Sequence, residues 1–363
     1  MAGFPALYAR WVDAIVDGAM PHETHATCDR CAMCASDGAA GSLVFDAATK
    51  CCTHVPVLPN FLVGAILVDP DPAAAEGRQS VVARIARRAG VTPLGLARTR
   101  TQTLVYDHSD EAFGRAVTLR CPHYVDRDGG QCGIWRHRNS ICTTWFCKHV
   151  DGHRGFELWR TLEALLVVAE RALALWCALE VGVEPRRVQP LVPNRPDRPH
   201  EALDAADLDQ REPKNYAARW GHWHGREAEL YTACATLVSK LEWTDVERIG
   251  GSELSLYRRV LQARYAELTN PRLPARLRPA AYRVIHRGRE TVRLQTYSPY
   301  DPIELPSDLI HVLHCFDGQP VAEALQRLMD DHALELTPGL VQSLVDFGVL
   351  IDASSIDDDA TAT

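Results

Sequence analysis

CPHYVDRDGGQCGIWRHRNSICTTWFCKHVDGHRG, residues 121–155, combines four cysteines with Gly, His and Arg, and it has almost no periodicity. Neither the 3.6-residue spacing of an amphipathic helix nor the alternation of a strand runs through it. A segment of this kind lacks the apolar stripe that would fold it onto a core, and a thiolate-bound metal can supply the missing constraint. Its ligand candidates are Cys121, Cys132, Cys142 and Cys147. Their spacing is longer and less regular than that of a standard zinc finger or ribbon.

Toward the N-terminus stands a second group, Cys28-Asp-Arg-Cys31-Ala-Met-Cys34, followed by the pair Cys51-Cys52. The Cys-x2-Cys spacing lets two soft sulfurs reach one metal from a single turn. Nine of the twelve cysteines thus fall within 28–52 and 121–147. Cys177, Cys234 and Cys315 sit singly in helical patterns and are expected to be ordinary buried thiols. Nine thiols exceed the need of one centre, so the expected cofactor is an iron-sulfur cluster, [4Fe-4S], with Zn2+ as the alternative.

Outside the cysteines the sequence reads as mainly α with small β elements. Helices are expected at Phe4–Val16, Pro59–Val68, Ala73–Ala89 (with Arg84, Arg87 and Arg88), Phe156–Val181, Trp223–Leu241 and Ser252–Glu267. Gly182 and Pro185 mark the end of the fourth. Arg100–Tyr106, where Thr alternates with apolar residues, is expected as a strand, with Ala116–Leu119 as its partner. Residues 281–352 pattern as a hairpin about Arg287-Gly288, helices at Ser307–Phe316, Val321–Ala333 and Pro338–Phe347, and a strand at Val349–Ile351. Ser307 and Thr337 are expected as N-caps and Gly318 as a C-cap. The expected organisation is a cysteine-cluster domain with flanking helices (1–184), a Pro-rich linker or arm (185–213), a helical segment (214–280), a winged-helix module (281–352) and a disordered acidic tail (353–363).

Composition narrows the function classes. The 363 residues carry 39 basic and 47 acidic side chains, a formal charge of −8, and so lack the global basic field of a nonspecific nucleic-acid binder. The helical part of the C-terminal module, 306–352, has Arg327 as its only Arg or Lys against eight acids, which disfavours groove binding. Arg10, Asp13 and Asp17 interrupt the apolar start of the chain, so it does not read as a signal peptide, and no apolar run reaches the length of a membrane span. The expected address is cytoplasmic, where thiols stay reduced and a disulfide framework is not the use of twelve cysteines.

Cys28, Cys31 and Cys34, then Cys51-Cys52 before Val55-Pro56-Val57, then Cys121, Cys132-Gly-Ile-Trp, Arg138 and Cys142, resemble the YkgJ-type cysteine-cluster proteins, a group described as having a zinc- or iron-chelating domain. The likeness covers roughly residues 28–150. It departs from the family where sixteen residues separate Cys34 from Cys51, since the family's signature runs directly into the Cys-Cys pair. The flagellin lysine methylases are similar in joining such cysteines to a larger helical protein, and the resemblance implies an iron-sulfur cluster; no glycine-rich nucleotide loop accompanies it here. At the C-terminus, Leu309–Gly318, Leu325, Leu328 and Leu344–Leu350 resemble the PqqD-type winged helix in hydrophobic pattern, which implies a peptide added as a strand beside the hairpin.

Among the histidines near the cysteines (His22, His25, His54, His123, His137, His149 and His153), His123 and His149 are the best candidates to complete a coordination shell. The loop Trp135-Arg136-His137-Arg138 offers Arg136, His137 and Arg138 to a cofactor's sulfurs or to an anionic substrate. His222 and His224 read as surface residues at a helix start. The sequence therefore predicts a metal-binding protein that is either a redox or peptide-modifying enzyme, docking a peptide or protein at its C-terminal module through Arg283, Arg287, Arg289 and Arg293, or a non-catalytic interaction protein with structural zinc.

Overall fold

The computed structural model describes residues 4–34, 43–107, 112–191 and 216–354. Most of the expected Pro-rich arm, the Gly/Ala-rich stretch 37–42 and the tail beyond 354 lie outside these residues. The chain is mainly α with small β elements. In order it forms α1 (Ala6–Ile15), β1 (Leu58–Pro59), α2 (Asn60–Val68), α3 (Ala75–Ala86), β2 (Val91–Thr92), β3 (Gly95–Leu96), α4 (Arg100–Asp107), β4 (Tyr124–Val125), β5 (Gln131–Cys132), α5 (Ser140–Thr144), α6 (Gly152–Glu180), α7 (Pro185–Val188), α8 (Tyr216–Trp220), α9 (Glu227–Ser239) and α10 (Trp243–Thr269). Then follow β6 (Leu277–Pro279), β7 (Arg283–Arg287), β8 (Thr291–Gln295), β9 (Ile303–Pro306), α11 (Ser307–Val312), α12 (Val321–His332), α13 (Pro338–Asp346) and β10 (Leu350–Asp352).

The 29-residue α6 is the axis of the larger core. Its Leu158, Leu162, Leu165, Leu166, Leu173 and Cys177 are buried with Tyr8 and Trp11 of α1, Leu230 and Tyr231 of α9, and Leu254 and Leu261 of α10. The helix closes as its glycine predicts: Gly182 takes φ +84°, and Val183 N–H reaches back to Ala178 O at 2.9 Å. Gly64 lets α2 lie against α9, since a Cβ there would stand 1.9 Å from Tyr231 O. Among the described residues no helix is long and apolar enough to cross a membrane.

Residues 277–350 enclose a core of their own, with Leu277, Val292, Leu294, Leu309, Phe316, Leu328, Val341 and Leu344. β7, β8 and β9 form an antiparallel sheet in that order, and β10 pairs with β6 through Leu350↔Pro279. This unit is seated on the start of α6. Arg154 Nη1 pairs with Asp346 Oδ1 at 2.9 Å, and Tyr297 stacks on His153.

Four local expectations are corrected. Arg100–Tyr106 is helical, because Thr99-x-x-Gln102 makes a capping box: Gln102 N–H donates to Thr99 Oγ1 at 3.3 Å, and Thr99 N–H donates to Gln102 Oε1 at 2.9 Å. The proposed partner strand is instead a single 3-10 turn at Val117–Leu119. Ser307 does not cap α11. Strand β9 runs up to Pro306, Ser307 N–H is drawn to Glu290 O at 2.8 Å, and its hydroxyl is buried without a partner. Thr337 does cap α13, accepting from Leu340 N–H, whereas Gly318 turns the chain back so that its N–H meets Leu277 O.

Candidate metal centre

Four short pieces carry the nine clustered cysteines. In the first, a turn brings Cys34 N–H to Cys31 O at 3.0 Å, and Phe45 N–H then binds Met33 O. In the second, Asp46 organises the turn that precedes Cys51-Cys52: its carbonyl accepts from Thr49 and Lys50 N–H, and its carboxylate accepts from Ala48 N–H at 2.8 Å. The third is the β4–β5 hairpin, which delivers Cys132. The fourth is α5, capped by Asn139, whose side chain accepts from Cys142 N–H at 3.1 Å.

Two links join pieces that are far apart in sequence. Cys121 N–H donates to Cys52 O at 2.7 Å. The buried Lys50 ammonium donates to Cys28 O at 2.6 Å and to Gly130 O at 2.8 Å, tying the first turn to the hairpin loop.

The thiols converge across these pieces. Cys28 and Cys51 influence each other's ionisation, as do Cys51 with Cys52 and Cys31 with Cys34. Cys142 feels Cys132 and Cys51, Cys147 feels Cys31 and Cys28, and Cys121 feels Cys132 and Cys142. The nine cysteines named from the sequence are thus linked through their electrostatics, although no three of their sulfurs lie within 4.8 Å of one another. Cys28 stands at its exposed rim, Cys121 and Cys147 are buried, and the rest are half-buried.

Burial and neighbouring thiols raise several of these cysteines. Contact with Cys51 and then burial raise Cys28; burial raises Cys121, Cys132 and Cys142; burial and then Cys31 push Cys34 to about 11 and Cys147 to about 12. A metal ion entering here displaces protons, so its affinity increases with pH.

The cations around the sulfurs suit a thiolate-bound metal. Arg138 lies among Cys132, Cys142, Cys28 and Cys51, which hold its charge against the burial that depresses it. Its guanidinium covers the Trp135 ring at 3.4 Å and donates to Cys142 O at 3.1 Å. Lys50 lowers Cys28 and Cys34, and the buried Arg84 faces Cys121. Four thiolates on one divalent ion leave about two negative charges, which cations so placed offset. Arg136 and His137 are directed elsewhere: Arg136 pairs with Asp71 at 2.8 Å and His137 with Asp69 at 2.8 Å.

Among the described histidines, His123 and His149 are the buried ones, at 1% and 4% exposure. Burial pushes them down to about 3 and about 4, which keeps both neutral and able to ligate. His123 Nδ1 is 2.7 Å from Ser80 Oγ, and its Nε2 is buried without a hydrogen-bond partner. His149 lies against Phe146, Phe156 and Tyr297. His22, His25, His222 and His224 are exposed.

Groups that carried no sequence signal also face the constellation. Tyr106, on α4, feels Cys142 and Cys51 and is pushed to about 12, by burial first. Its hydroxyl is 2.8 Å from His54 Nδ1, and Arg98 covers its ring at 4.5 Å. On another side Phe45, Phe113, Trp145 and Tyr300 form a mutually packed aromatic cluster, with Tyr300 reaching in from the C-terminal unit. Asp301 beside it accepts from His149 N–H at 2.9 Å. A cleft of about 220 Å³ opens between Ala32 and Met33 of the first turn and Arg293 and Glu304 of the sheet.

Cys177 and Cys234 are buried, with Cys177 Sγ 3.8 Å from Cys234 O, as expected of packed thiols. Compared with family models, curated proteins and solved structures, the chain has no match.

Proposed function

We propose that the nine cysteines bind one metal centre, an iron-sulfur cluster in the leading reading, in a redox or peptide-modifying enzyme. The observation that carries this is that Lys50 ties Cys28 O to Gly130 O, joining two cysteine segments about seventy residues apart, while Arg138 feels thiols of both. Cys28, Cys51, Cys132 and Cys142, the four that act on Arg138, are assigned as ligands, with Cys31, Cys34, Cys52, Cys121 and Cys147 around them. When bound, such a cluster supplies electron transfer or an open iron position. The chain's own contribution is to offset the cluster's charge with Arg138 and Lys50 and to exclude water with the aromatic cluster. The likeness to the YkgJ-type proteins points the same way.

One observation favours zinc as a second reading, in a non-catalytic interaction protein. Cys28 with Cys51 and Cys31 with Cys34 act on each other's ionisation, and Zn2+ takes such all-thiolate ligation. Anaerobic purification, a visible spectrum and metal analysis separate the two. Iron with a broad visible absorption is expected; a colourless protein holding zinc and no iron would overturn the cluster.

The substrate of this reading is an acidic peptide added along β7, an edge strand of a winged-helix module of PqqD type. Arg283, Arg287 and Arg289 are exposed there, while Arg293 is taken by Glu304 at 3.3 Å. The cleft between the sheet and the first cysteine turn gives such a peptide a route to the centre. Arg283→Glu with Arg287→Glu is expected to weaken binding of an acidic peptide at least tenfold, measured by fluorescence anisotropy. Unchanged binding would remove the docking role.

A further inference from the structure

We infer that His314, Cys315 and His332 form a second metal site, separate from the nine-cysteine centre, for a single divalent ion of the zinc class. Their candidate ligand atoms all lie within 4.8 Å of one another. His314 Nε2 is 3.9 Å from Cys315 Sγ. A tetrahedral zinc with ordinary Zn–N and Zn–S lengths spans these atoms by about 3.6 Å, so a shift of a few tenths of an ångström completes the pair.

The tautomer is already set for ligation. His314 Nδ1 is 2.8 Å from His311 O, and a carbonyl only accepts, so Nδ1 carries the proton and Nε2 presents its lone pair on the sulfur's side. The third donor comes from a different element: His332 ends α12, and its ring stands edge-on to that of His314 with centroids 6.0 Å apart.

Burial gives the site a direction. Cys315 is 1% exposed and belongs to the core of the C-terminal unit, whereas both imidazoles are exposed, so an ion reaches the thiol past the histidines and keeps water in its fourth position. Binding converts the Cys315 thiol to thiolate and releases its proton to solvent. Arg327 also faces this thiol, its charge offset by Asp317 at 3.0 Å. An ion held here would clip the turn after α11 to the end of α12, the two pieces on which the core of this unit closes.

The test uses the full chain with Zn2+ and, as a spectroscopic probe, Co2+. His314→Gln and His332→Gln lie at the surface and spare the fold. Each is expected to lower tightly bound zinc by about one equivalent per chain and, combined with Cys142→Ser, to remove the visible cobalt bands of a tetrahedral, thiolate-ligated ion that the Cys142→Ser chain retains. The metal and spectrum of the nine-cysteine centre should be unchanged, and Cys142→Ser should leave the cobalt bands in place, which separates failure here from failure of the main centre. Equal zinc content and equal cobalt bands in the wild type and both histidine variants would overturn the site.

Discussion

Replacing Cys142 with serine is expected to strip the nine-cysteine centre of its metal and to expose residues 112–151 to protease. Cys142 is the junction of the constellation: it feels Cys132 of the hairpin and Cys51 of the second turn, and its backbone carbonyl holds Arg138. The segment has few aliphatic side chains to keep it folded. Its buried aliphatic side chains are Val125 and Ile134, which contribute about 1.5–3 kcal/mol each. A structural metal contributes on the order of 10 kcal/mol. Limited proteolysis with metal analysis provides the check. Full metal content with an unchanged digestion pattern would show that Cys142 is not a ligand. Cys28→Ser, at the exposed rim, should have the smaller effect, because neighbouring thiols can take its place.

Replacing Glu170 with alanine is expected to destabilise the fold by about 3–5 kcal/mol, read from denaturant unfolding. The sequence shows Glu170 only as a charge inside an apolar helix. In the fold it is a buried acceptor for three donors: the Tyr8 hydroxyl, Ser140 N–H at 2.6 Å and Ser140 Oγ at 2.9 Å. It thereby anchors α1 and the N-terminus of α5, the helix that presents Cys142. Removal leaves those donors buried and unpaired.

The same carboxyl also gives stability a pH dependence. Burial raises it to about 7, against the hydrogen bonds from Tyr8 and Ser140 that pull it down. Between its ordinary value near 4.5 and about 7 the native chain binds a proton that the unfolded chain does not. The contribution is therefore fully present at low pH, falls as pH rises through that window and is level above it, a change on the order of 3 kcal/mol. Glu170→Gln should flatten this slope while keeping most of the hydrogen bonds. A slope identical to the wild type would assign the dependence to other groups.

Much of this molecule is written locally. Residue type and spacing name the nine cysteines and the buried His123 and His149, because clustering of soft donors is itself a linear signal. Apolar periodicity gives the helices, Gly182 the end of α6, and the Arg287-Gly288 turn the β7–β8 hairpin. Even the misread segment at 100–107 carried its own correction in Thr99-x-x-Gln102; the β propensity of its Thr and Val residues masked a cap whose hydrogen bonds outweigh it.

Which side chains serve the cysteines was decided by tertiary structure. Nothing near Lys50 in sequence indicates that its ammonium joins Cys28 O to Gly130 O, because the two carbonyls meet only when loops about a hundred residues apart are closed on each other. Within Arg136-His137-Arg138, residue type alone could not choose among three donors. Asp71 and Asp69, brought alongside by the turn before α3, take the first two, and the sulfurs receive the third. The sequence by itself determined the candidate donors and most of the helices that frame them. The fold decided which cations and rings stand beside them, because those contacts depend on distances across the chain that no local spacing encodes.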